Sequence, residues 1–124
     1  MPMKIIHCSD LHLDSKMETH LTKQQSAERK AELLETFSRM VHYAAQNQVS
    51  VIMICGDLFD TARVSSTTVG CILDTVAQNP DIDFLYLQGN HDEEEHRFFS
   101  NAPANLKIFS HDWQYHRYGH VVIA

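Results

Sequence analysis

The sequence predicts an α/β fold built on a mostly parallel sheet, and three observations carry that reading. Short apolar runs of strand length recur at residues 3–9, 51–55 and 84–87. Longer segments of helical period, about 24–48 and 65–78, lie between them. Strands alternating with helices at this spacing indicate βαβ units, in which successive strands run the same way.

The elements follow in order. MKIIHCS reads as a short buried strand. In the first helix Leu34, Phe37, Val41 and Ala44 share one face, while Glu28, Arg29, Lys30, Glu32 and Glu35 populate the other, as a surface helix requires. VIMIC is too short for a helix and is bounded by Gly56. The second helix carries an apolar stripe of Val69, Ile72, Leu73 and Val76, and Pro80 ends it. FLYL is the third buried strand. Beyond it, residues 94–99 suit a short helix and 101–105 a loop around Pro103. Residues 106–109, 114–118 and 121–123 are strand candidates in quick succession.

Composition bounds the rest. The chain has 124 residues, 44% of them hydrophobic and 21% charged, which fits one soluble domain able to bury a core. No apolar run approaches the roughly 20 residues of a membrane span, and the first ten residues lack the pattern of a signal peptide. A cytoplasmic location is the expectation. Cys8, Cys55 and Cys71 make an odd count without CxxC spacing, so free thiols in a reducing compartment are expected, with Cys8 and Cys55 as small buried hydrophobes. The formal net charge of −6 argues against a simple basic nucleic-acid face, though a metal ion can supply positive charge to a phosphate substrate.

The chemistry lies after the strands. In open parallel sheets ligands bind beyond the carboxyl ends of the strands. The first strand is followed by SDLHLDS, with Asp10 and His12; the second by GDLFD, with Asp57 and Asp60; the third by GNHD, with Asn90, His91 and Asp92. Each strand thus delivers potential metal ligands to one edge. In an extended segment residues i and i+2 project to the same side, so Asp10 and His12 can meet one ion. Carboxylate, imidazole and amide oxygen together suit Mn, Fe or Zn better than Ca, which prefers oxygen alone. Among the nine histidines, His7 lies inside the first strand as a core or supporting residue, and His20, His42, His96, His111 and His116 read as surface or packing residues.

The ordered set DLH, GDLFD and GNHD resembles the calcineurin-like metallophosphoesterase superfamily, and within it the SbcD-type DNA repair exonucleases. The resemblance runs from about Lys4 to Asp92 and less closely to the end. It implies the N-terminal portion of an αββα sandwich. It also implies two divalent metal ions, usually manganese. Asp10 and His12 match ligands of the first ion, Asp57 the carboxylate bridging both, and Asn90 a ligand of the second. His91 matches the histidine that contacts the phosphate and assists the leaving group, Asp92 the residue that orients it, and Asp60 a supporting group. By resemblance a metal-activated hydroxide attacks a DNA phosphodiester in line, and an SbcC-like ATPase binds regions beyond this chain.

Family members complete the site with a further His and then a GHxH motif. Here Gly119-His120 is followed by Val121 and by Val122 where the second His belongs, so this stretch is expected to be a turn and an interior strand. Residues 1–124 are then expected to be one C-terminally truncated domain. Two alternatives stand beside the DNA nuclease: a fragment or binding module that holds metal weakly or not at all, and a phosphoesterase acting on nucleotides or other small esters. An open sheet edge would invite self-association.

Overall fold

The computed structural model describes residues 3–9, 11, 22–56, 66–87, 102–109 and 112–124. Its element order is β1 (Ile5–Cys8), α1 (Lys23–Gln46), β2 (Val51–Cys55), α2 (Ser66–Ala77), β3 (Asp83–Leu87), β4 (Leu106–Phe109), β5 (His116–Tyr118) and β6 (Val121–Ile123). The first four strands form one parallel sheet in the order β1-β2-β3-β4. The sequence-predicted α/β architecture with a parallel sheet is therefore what the chain adopts.

The register sorts the side chains of this sheet into two faces. Ile6, Ile52, Phe84 and Leu106 stand in one transverse row, and Cys8, Ile54, Tyr86 and Ile108 in the next. Both rows pack with Phe37, Val41 and Ala44 of α1 and with Val69, Ile72 and Val76 of α2. With strands in sequential order and one hand of crossover, both helices must lie on the same face, as they do. The apolar stripes read from helical period are this core. Burying the dozen residues of the cluster away from water is the main term holding the unit together.

Several boundaries differ from the sequence expectation. Helix α1 begins after Thr22, whose Oγ1 accepts the Gln25 N–H at 3.1 Å while the Thr22 N–H donates to Gln25 Oε1 at 3.0 Å. This reciprocal capping box was available in the sequence as TKQQ. The helix stops at Gln46, two residues before the expected end. Asn47 caps it and Gln48 turns left-handed at φ 58°, which lets the Val49 N–H reach the Ala44 carbonyl at 2.9 Å. Strand β1 is not buried: its residues alternate between exposed and half-buried, because it has β2 on one side and no other strand beside it among the described residues. His7 is exposed there and belongs to no core.

The other end of the sheet is tied by Asn105. Its Nδ2 lies 2.9 Å from the Val76 carbonyl, 3.0 Å from that of Asn79 and 2.9 Å from that of Ile82. With two hydrogens for three acceptors the amide shares its bonds among them, adding to the backbone N–H bonds that the Val76 and Asn79 carbonyls accept from Asn79 and Ile82.

Strands β5 and β6 form an antiparallel hairpin around Gly119 and His120, with Gly119 at φ 61°. The expected turn is there, but the following strand is not interior: Val122 is 46% exposed, since β6 pairs with β5 alone among the described residues. Strand β5 starts at His116, so Gln114 and Tyr115 precede it. Among the described residues no helix is long and apolar enough to cross a membrane.

Candidate functional site

Opposite the helices, the second sheet face carries Val51 and Asp83, then His7, Met53, Leu85 and Lys107, then Cys55, Leu87 and Phe109. The hairpin reaches this face at two points. The Tyr118 hydroxyl donates to Asp83 Oδ2 at 2.7 Å, at the amino end of β3. The His116 ring packs against Phe109, with centroids 5.4 Å apart, at the carboxyl end of β4. Strand β5 therefore descends from the carboxyl edge of the sheet to its amino edge, and the segment before it, 112–115, belongs to the carboxyl edge. Burial, then the hydrogen bond and charge of Asp83, raise the Tyr118 phenol above its usual range.

That edge is set by the ladder. Cys8 pairs with Ile54, and Cys55 with Leu87, so three neighbouring strands finish within about one residue of each other. Gly56 then extends the β2 ladder by donating its N–H to the Leu87 carbonyl at 2.7 Å, and leaves the strand at φ 79°. An L-side chain is disfavoured at that angle, which is the reason for glycine here. The sequence resumes with Asp57 after Gly56, with Asp10 two residues after Cys8 and with Asn90 three residues after Leu87. All seven sequence-predicted site residues (Asp10, His12, Asp57, Asp60, Asn90, His91 and Asp92) lie outside the described residues, as do the expected helix at 94–99 and His20, His96 and His111.

The described residues around the edge are largely apolar, with the thiols of Cys8 and Cys55 and the polar Asp112 and Gln114 among them. Cys8 is half-buried and its Sγ sits 3.5 Å from the Met53 carbonyl. Burial, with the neighbouring Cys55 as a second cause, pushes its thiol up to about 11. Burial also raises Cys55. Both are half-buried rather than fully buried, and Cys71 is exposed; all three are free thiols, as expected. His120, the candidate of the Gly-His pair, is exposed in its turn. A groove of about 350 Å³ opens on the second face, floored by Cys55, Leu87 and Phe109 and flanked by Trp113. Sequence reasoning left Trp113 unassigned and placed Tyr115 in a strand.

A four-stranded parallel sheet, with helices packed on one face and a motif of polar residues following each of three adjacent strands in the sequence, defines a class of α/β protein whose ligands generally bind at the carboxyl edge of the sheet. Residues 3–122 match the family of Calcineurin-like phosphoesterases, and the chain belongs to it. The chain is 32% identical over 111 residues to the DNA double-strand break repair protein Mre11 of Saccharolobus solfataricus, covering 84% of this chain and 26% of that protein. It is 30% identical over 96 residues to the SbcD component of the nuclease SbcCD of Staphylococcus epidermidis, with 75% and 24% covered. The Mre11 protein of Methanopyrus kandleri is 23% identical over 92 residues, with 73% and 19% covered. The chain thus spans about a quarter or less of the length of the curated relatives it matches.

Proposed function

We propose that this chain carries the first part of a metal-dependent phosphodiesterase acting on DNA, in the manner of an SbcD-like nuclease. One observation supports the reading above the others. Three adjacent parallel strands end together at Cys8, Cys55 and Leu87, and SDLHLDS, GDLFD and GNHD follow those ends in the sequence.

The donor set fits a pair of divalent cations. Asp10 and Asp57 offer hard carboxylates, Asn90 an amide oxygen and His12 an imidazole, a mixture that suits manganese, with iron or zinc as the other choices. In this reading Asp10 and His12 would hold the first ion, Asp57 would serve both and Asn90 would hold the second. When bound, the ions supply Lewis-acid stabilisation of the phosphoryl charge and make water a competent nucleophile near neutral pH. His91 binds a phosphoryl oxygen and gives a proton toward the leaving oxygen, Asp92 orients that imidazole, and Asp60 steadies the loop that carries Asp57.

The names of two relatives, a double-strand break repair protein and a nuclease component, support DNA as substrate and an SbcC-like ATPase as partner. Their greater length supports residues 1–124 as one part of a longer phosphoesterase unit, with the remaining histidine ligands supplied elsewhere. Three free thiols are in keeping with the cytoplasm. The net charge of −6 favours a second reading, in which the substrate is a nucleotide or other small phosphate ester. The test is manganese-dependent hydrolysis by the intact protein, with rates compared on an oligonucleotide and on small esters. Asp57→Ala and His91→Ala should each lower turnover by a factor of roughly a hundred or more. Absence of metal-dependent turnover on every substrate would refute both readings.

A further inference from the structure

We draw no further inference here: the strongest candidate, the apolar groove over Cys55, Leu87 and Phe109 on the sheet face opposite the helices, carries none, because nothing in the structure shows what covers that face.

Discussion

The Gly56 N–H donates to the Leu87 carbonyl at 2.7 Å, one step beyond the last residue pair of the β2–β3 ladder. This bond fixes where β2 stops relative to β3, and the left-handed Gly56 turns the chain immediately before Asp57. Replacing Gly56 by Ala keeps the donor but places a Cβ at a disfavoured angle. Urea unfolding should show a loss of about 1–2 kcal/mol. Activity should fall further than stability does, because the strain falls beside the proposed bridging carboxylate. An unchanged melt would mean that the turn relaxes freely.

Asn105→Ala is expected to be among the more damaging single substitutions outside the apolar core. It removes one amide that serves three carbonyls, those of Val76, Asn79 and Ile82. The Val76 and Asn79 carbonyls keep their backbone donors, the Asn79 and Ile82 N–H groups, so the loss should be about 1–2 kcal/mol, to be measured as a lowered urea midpoint at unchanged slope. Asn105→Asp has no donor and should behave like the Ala variant.

Tyr118 should give the hairpin an alkaline limit. Burial and Asp83 raise its phenol in the folded state above the usual value of about 10. The folded form therefore holds its proton where the unfolded form has lost it. The associated stability is complete below about pH 10 and declines as pH rises through the folded-state value. Tyr118→Phe should flatten that decline, with stability followed by near-ultraviolet circular dichroism between about pH 8 and pH 11. An identical slope in the variant would count against the Tyr118–Asp83 link.

The three thiols should differ in reactivity. Cys71 is exposed on α2, whereas Cys8 is half-buried with its thiol pushed up to about 11. At pH 8 about one Cys8 in a thousand is then a thiolate, the form that reacts. Iodoacetamide followed by mass spectrometry should label Cys71 first and Cys8 and Cys55 slowly. Comparable labelling of all three would show that the strand ends open on the labelling timescale.

Metal removal supplies a further prediction under the phosphodiesterase reading. EDTA should abolish hydrolysis and added manganese should restore it, while secondary structure by circular dichroism stays the same. Among the described residues, the core of α1, α2 and the sheet is apolar and includes no candidate ligand. Unfolding on chelation would instead assign the ions a structural role.

How much of this could be read from the sequence depended on the kind of signal. Helical period located Phe37, Val41 and Val76 in the core because one buried face repeats every three or four residues over several turns. Strand β1 misled because IIHC has the composition of a buried strand, and composition says nothing about whether a partner lies on both sides. The end of α1 was placed late because Gln48 in the left-handed region carries none of the usual glycine signal. The motifs after the strands were read from their position behind each strand and from the family resemblance, and their residues lie outside the described ones. The place of Trp113 was not legible, since it depends on β5 turning back down the sheet and bringing residues 112–114 beside Cys55 and Leu87.

The bonds made by Asn105 also bear on the order in which the molecule can mature during synthesis. Chains fold from the N-terminus as they emerge from the ribosome. Helix α2 and strand β3 are complete by Leu87, yet the carbonyls of Val76, Asn79 and Ile82 receive their common donor only when residue 105 has been made. Until then the joint between α2 and β3 has its own backbone bonds, from the Asn79 N–H to the Val76 carbonyl and from the Ile82 N–H to the Asn79 carbonyl, both at 3.1 Å. Emergence of Asn105 and the adjoining β4 is thus the moment at which the nascent sheet becomes able to lock.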